Sequence, residues 1–200
     1  MSHSPLPIAV FISGGGRSLA NLIRHRDERA LPIEIRLVLS SSSKVRGVEI
    51  ARDAGIQTQV VWKSKFPDAI DYSNAMFEPC RQAGVELVVM AGYLKHVQIP
   101  DDFSGKVINI HPSLLPQFGG EGMYGDRVHR AVLSEGASES GCTVHYVDNQ
   151  YDNGPILLQQ SCSVQANDTA SSLAARVFEL ECEVLPEAIR QIASKRSDGI

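Results

Sequence analysis

The sequence predicts a single-domain α/β protein: a mostly parallel, open, Rossmann-type sheet with helices on both faces, and antiparallel strands in the C-terminal part. Three observations predict it. Short apolar runs alternate with helix-period stretches as far as Gly136, as repeated strand–helix–strand units require. Turn-forming glycine, serine or proline punctuates the alternation. Then two apolar runs follow each other with no helical stretch between them, which reads as an antiparallel pair joined by a turn. Two hundred residues suffice for one sizeable core and are marginal for two, so a single domain over 1–200 is expected, in two halves, 1–100 and 101–200.

The elements follow in order. "IAVFI" (8–12) is a buried-type strand, and "SGGG" leads from it into a helical pattern through Leu19, Leu22 and Ile23. "IEIRLVLS" (33–40) is a second strand, and "VRGVEIARDAG" (45–55) is a helix closing on Gly55. "QVVW" (59–62), a long helical stretch near 68–83 and "VELVVMAGY" (85–93) continue the rhythm. Next come "VINI" (107–110) and a helix around 126–136. "CTVHYV" and "PILLQQSCSV" form the closing strand pair, and an amphipathic helix over 169–195 ends the fold.

Composition narrows the function. Hydrophobic content of 43% and charged content of 21% are those of an ordinary globular protein. A formal charge of −4 offers no general attraction to nucleic acid or anionic lipid, so any bound anion must be gripped locally. The start "MSHSPLPIAVFI" lacks the charged head and long apolar stretch of a leader, and no run approaches a membrane span, so a cytoplasmic location is expected. Cys80, Cys142, Cys162 and Cys182 contain no C-x-x-C pair and read as reduced thiols. Cys142 and His145 stand three apart on a strand, which points them to opposite faces and argues against a shared metal ion.

In open α/β sheets ligands bind beyond the carboxyl ends of the strands, where strand order reverses. Three features fall at such ends. "FISGGGRSL" (11–19) is a glycine-rich turn from strand to helix, where backbone N–H groups and the helix N-terminus can hold an anion. A dinucleotide fingerprint would need glycine near Leu19 and an acid after the second strand; the chain has Ser40 to Ser43 there, and no Lys-Ser/Thr pair follows the glycines. A single phosphate fits, with Arg17 and Ser18 as extra donors; a tight turn with no ligand is the competing reading. In "VINIHPSLLP" (107–116), Asn109 and His111 lie two apart and project to one face, and Pro112 ends the strand. An amide can donate to an oxygen that becomes negative, and an imidazole moves protons near neutral pH; a satisfied structural histidine is the alternative. In "DNQYDNGPILLQ" (148–159), Asp152 precedes a strong turn. It is either a turn-forming residue or, beside His111, a carboxylate that favours the imidazolium.

"NIHPSLLP", "SGCTVHYVD" and "DNGPILLQ", in this order after "SGGGRSL", resemble the glycinamide ribonucleotide formyltransferase family of purine biosynthesis, over most of the chain. The resemblance implies formyl transfer from 10-formyltetrahydrofolate, as co-substrate, to the amine of glycinamide ribonucleotide, without metal, nucleic acid or membrane, by a monomer or homodimer. It implies that Asn109 stabilises the oxyanion, His111 transfers protons, and Asp152 tunes His111 and holds a water. It assigns Gly15, Gly16, Arg17, Ser18, Pro112 and Glu181 to the ribonucleotide. Leu94, Lys95, His96, Val97, Asn109, Asp148 and Asp152 go to the folate.

The family's common Ser-Asn is Arg17-Ser18 here, and an arginine that meets the folate tail is Ala69, leaving Lys63, Lys65 or Lys95 for that role. "FGGEGMYGDRVH" is longer than the usual version, and its glycines are expected to form a mobile loop that closes on substrate. A formyltetrahydrofolate deformylase or a methionyl-tRNA formyltransferase would share the triad, but each carries a further domain for which this chain has no room. A non-catalytic sensor of a phosphorylated metabolite would keep the glycine turn and have no need of Asn109, His111 and Asp152 together.

Overall fold

The structure, a computed structural model, describes residues 4–197. Residues 1–3 of the stretch read for a leader lie outside them. In chain order the strands are β1 (Leu6–Ile12), β2 (Ile33–Ser40), β3 (Thr58–Val60), β4 (Leu87–Met90), β5 (Val107–His111), β6 (Glu139–Tyr146) and β7 (Ile156–Ser163). The helices are α1 (Arg17–Glu28), α2 (Arg46–Asp53), α3 (Ala69–Gln82), α4 (Asp126–Ser134) and α5 (Ala170–Ser197). The strands form one seven-stranded sheet in the order β3-β2-β1-β4-β5-β6-β7. β1 runs parallel to both β2 and β4, β2 runs parallel to β3, and β6 and β7 are antiparallel.

The chain divides into two compact units, Met1–Ile108 with Ile189–Ile200, and Asn109–Ala188. In the first, every residue of β1 is buried, and so are all four of β4, the continuous apolar reading of a strand covered on both faces. β1, β2 and β3 advance in one direction, and the chain then returns past β1 to β4. With right-handed crossovers, α1 and α2 therefore lie on one face and α3 on the other. Phe11 fills the core beneath α3, its ring 5.6 Å from Phe77 and 5.5 Å from Tyr93. Asp68 caps α3 by accepting from the Asp71 amide at 2.8 Å.

Strand order reverses between β2 and β4 on either side of β1, so the first unit's crevice opens where β1 and β4 end. The glycine turn follows β1 there, and the irregular segment Leu94–Val97 follows β4. In the second unit, β6 and β7 are antiparallel as expected and are joined by residues 147–155, and Asp152 stands in this connection. Thr169 precedes α5 and accepts from the Ser172 amide at 3.1 Å, and Asp168 before it accepts two hydrogen bonds from Arg176 at 2.6 and 2.9 Å. Among the described residues no helix is long and apolar enough to cross a membrane.

Candidate active site

The glycine turn is shaped by one contact. Gly16 has φ of 72°, and a Cβ there would meet the Gly47 Cα at 2.5 Å. Gly47 at the start of α2 donates to the Gly14 carbonyl at 3.2 Å, so the two glycines let turn and helix cross almost backbone to backbone. No such contact explains Gly14 or Gly15, which face open space. No side chain caps the N-terminus of α1, and its first turn has no acidic residue. These are the features of an anion-binding turn. Arg17 is exposed and Ser18 half-buried at its mouth.

Gly16→Ala should cost roughly 1–3 kcal/mol, the scale of a strained left-handed residue, and should weaken binding of inorganic phosphate. Gly14→Ala, with room for its methyl, should cost less than about 1 kcal/mol. Equal melting temperatures for the two variants would contradict the crossing.

In the second unit β5 delivers Asn109 half-buried and His111 buried. Pro112, half-buried, ends the strand, and the chain beyond is pinned by Thr143 on β6. The Thr143 hydroxyl donates to the Ser113 carbonyl at 2.7 Å and accepts from the Leu115 amide at 3.1 Å and the Gln159 amide at 2.7 Å. That uses all of its hydrogen-bonding capacity. Ser113 then donates to the Gln117 carbonyl at 2.6 Å and closes the turn.

The next residue, Phe118, adopts a left-handed φ of 56°, rare for an aromatic, and presents its carbonyl to His111 Nε2 at 2.8 Å. A carbonyl only accepts, so Nε2 carries the hydrogen and Nδ1 is the nitrogen that exchanges protons. Nδ1 stands 3.5 Å from Asp152 Oδ2. The same carboxylate oxygen accepts from the Gly120 amide at 3.0 Å. One end of the glycine-rich loop is thereby fastened to both residues.

Asp152 also has a left-handed φ, 51°, which Asp tolerates better than most residues. Its turn is built by Asp148, which accepts from the Gln150 amide at 2.8 Å and from Asn153 Nδ2 at 3.2 Å. Gly154 completes it, because a Cβ there would strike the Tyr146 carbonyl at 1.9 Å. Asp148 is thus a scaffold for Asp152.

His145, weighed in the sequence only beside Cys142, joins these residues in the fold. On β6 it is buried, donates Nδ1–H to the Tyr146 carbonyl at 2.9 Å and turns Nε2 to Asn109 Nδ2 at 3.2 Å. In neutral form its Nε2 accepts, so the NH₂ side of Asn109 must face it, which fixes the orientation of the amide. Nε2 also lies 3.6 Å from Asp152 Oδ1. Asn109, His111, His145 and Asp152 therefore form one cluster.

Burial dominates the electrostatics of the cluster. It lowers the His111 pKa below the usual histidine value, although Asp152 and the Phe118 carbonyl oppose it and His145 adds to it. The expected gain of imidazolium from the carboxylate is present but smaller than the desolvation cost. Burial alone would raise Asp152; His145, the His111 charge and the Gly120 amide outweigh it and bring its pKa below the usual carboxylate value. At neutral pH the pair is carboxylate and neutral imidazole.

Asp152→Asn removes a cause that raises the His111 pKa, so the acid limb of the kcat/KM profile should move to lower pH while the rate falls. An unmoved limb would take Asp152 out of the proton network. As a stability group with a lowered pKa, Asp152 contributes above its unfolded value, and the contribution is lost as pH falls through its folded one.

The remaining candidates are placed as follows. Leu94 and Lys95 are exposed, His96 is half-buried and Val97 is buried beyond β4. Glu181, on α5, lies close enough to Cys142 that its charge adds to burial in pushing the thiol up to about 12. Cys142 pairs with Gln160 across the β6–β7 ladder while Cys162 pairs with Ser140, a diagonal offset too wide for a disulfide, and both are free thiols. Ala69 opens α3, and Lys65 lies over the Trp62 ring at 4.4 Å. Among the described residues no three His, Cys, Asp or Glu side chains converge as a metal-ligand set.

The family model described as formyl transferase matches residues 6–189. The chain belongs to the formyl transferase family. It is 38% identical to the chloroplastic phosphoribosylglycinamide formyltransferase of Arabidopsis thaliana, over 100% of this chain and 71% of that protein. It is 35% identical to the trifunctional purine biosynthetic protein adenosine-3 of Gallus gallus, over 94% of this chain and 18% of that one. The crystal structure of glycinamide ribonucleotide transformylase 1 from Symbiobacterium toebii superposes with a TM-score of 0.91 at 34% identity, covering 98% of this chain and 91% of that one. Like its relatives in the family, the chain is a transferase.

Proposed function

We propose that this chain transfers the formyl group of 10-formyltetrahydrofolate to the amine of glycinamide ribonucleotide in purine biosynthesis, through Asn109, His111 and Asp152. The observation that carries the reading is the state of Asn109. One hydrogen of its amide is held by His145, and the other enters no hydrogen bond of the fold among the described residues, beside a neutral imidazole backed by a carboxylate. Acyl transfer needs that set: a donor for the oxyanion and a base for the departing proton. The names of the relatives agree with it.

In this reading the substrate amine attacks the formyl carbon, and the carbonyl oxygen becomes an oxyanion that accepts from Asn109 Nδ2. His111 Nδ1 takes the amine proton, directly or through a water held by Asp152, while Nε2 stays on the Phe118 carbonyl. The carboxylate stabilises the imidazolium until the proton passes to the folate nitrogen, whose bond to carbon then breaks. The products are the N-formyl ribonucleotide and tetrahydrofolate.

Gly15, Gly16, Arg17 and Ser18 take the phosphate, with Pro112 and Glu181 toward the ribonucleotide. Leu94, Lys95, His96 and Val97 present backbone groups to the pterin, and Asp148 shapes the folate loop. The proposal includes a cytoplasmic monomer or homodimer that needs no metal.

An absorbance assay for tetrahydrofolate, run with and without glycinamide ribonucleotide, tests it. Product that requires the amine supports formyl transfer. Product without the amine makes the chain a deformylase, and no product in either case makes it a binding protein.

A further inference from the structure

Ser13, the first residue after β1, has no role in the chemistry above. Yet it sits where the carboxyl ends of β1, β2 and β4 meet, and it bonds to both neighbours. Its Oγ accepts from the Leu94 amide at 2.9 Å and from the Ser41 hydroxyl at 2.8 Å, and its own amide donates to the Gly92 carbonyl at 3.2 Å. On the other side the Ser41 amide donates to the Ile12 carbonyl at 3.2 Å, tying the end of β2 to the same point.

Glycine occupies the next three positions, and the segment from Leu94 contains no regular secondary structure as far as Pro100. The turn is held to α2 by the Gly47 amide on the Gly14 carbonyl, and the far end of the segment is held to α3 by the Gln98 amide, which donates to the Ser73 hydroxyl at 2.8 Å. The Ser13 hydroxyl adds a side-chain link between the two, beside the backbone bond from its amide to Gly92, because it accepts from the first amide of one loop and is covalently continuous with the other. A serine with both acceptor sites occupied cannot shift toward one partner without loosening the other.

From this junction we infer that Ser13 is a positioning residue: it locks the glycine turn to Leu94–Val97, so that an anion held by the turn changes the set of the neighbouring segment. The inference rests on the proposed phosphate role of the turn and deepens it by linking the two substrate-binding segments. The coupling is mechanical, through one hydroxyl, and belongs wholly to the first unit.

Amide chemical shifts of the full chain, followed while inorganic phosphate is added, test it. In the wild type the Gly14–Ser18 amides should shift, and the Leu94–Val97 amides should shift with them. In Ser13→Ala the first group should still respond and the second should lose its response. Ser13→Thr, which keeps the hydroxyl, should restore it. Ser41→Ala, which spares the Leu94 bond, should leave it largely intact.

Under turnover, Ser13→Ala should raise KM for the folate roughly two- to tenfold, the effect of losing one neutral hydrogen bond, with kcat little changed. If Leu94–Val97 still respond in Ser13→Ala, or never respond in the wild type while the turn does, the coupling is overturned and the phosphate site stands. If the turn itself ignores phosphate in the wild type, both are overturned. A lowered melting temperature with the shift response intact would mark Ser13 as merely structural.

Discussion

His111→Ala should lower kcat by roughly 10²- to 10⁴-fold, the range of a general acid–base group, while a ribonucleotide ligand still binds. The variant also leaves the Phe118 carbonyl without its donor and opens space at a buried site, so lost stability could masquerade as lost chemistry. His111→Gln separates the two. A glutamine amide can still donate to the Phe118 carbonyl and hold the loop, yet it takes up no proton near neutral pH. It should be as slow as the alanine variant and closer to the wild type in melting temperature. Recovery of most of the rate in His111→Gln would show that the imidazole anchors a loop and moves no proton.

Asn109→Ala should lower the rate of the chemical step by roughly 10²-fold or more, as removal of an oxyanion donor does, with the folate bound almost as before. Single-turnover kinetics read the step directly. The reason to expect a transition-state effect is the way the amide is held. His145 Nε2 accepts one hydrogen at 3.2 Å, which fixes the plane in which the other points. Such a donor costs no reorganisation when charge develops. His145→Phe should therefore lower the same rate constant by releasing that plane, although His145 itself touches no reacting atom. A loss confined to KM in Asn109→Ala would mean that the amide binds ground state and transition state alike.

Much of this arrangement is legible in the sequence because it follows from period and punctuation. The alternation that ends at Ser40 marks β2 at its observed limits, Pro112 does stop β5, and the two-residue spacing does put Asn109 and His111 on one face. The turn residues around Asp152 also announce themselves, and the turn is built from Asp148, Asn153 and Gly154 as their chemistry suggests.

What escapes is set by tertiary contact. His145 sits inside a quoted stretch, but a strand reading can test it only against its neighbours along the strand, such as Cys142; its partner Asn109 lies on β5. Its parity with Thr143, which pins the chain after His111, is the one signal that could have raised it. The grip of Phe118 and Gly120 on His111 and Asp152 depends on a left-handed aromatic residue, and no composition rule predicts that. The direction of the His111 shift is hidden for another reason. A nearby carboxylate can be guessed from sequence, but the depth of burial that overrides it cannot.

The most direct measurement is a crystal structure with a folate analogue that carries an aldehyde in place of the formyl group, able to hydrate as a mimic of the tetrahedral intermediate. One oxygen of the hydrated carbon is expected about 2.7–3.1 Å from Asn109 Nδ2, with His111 and Asp152 around the same carbon. An analogue bound with that carbon turned away from Asn109 and His111 would contradict it.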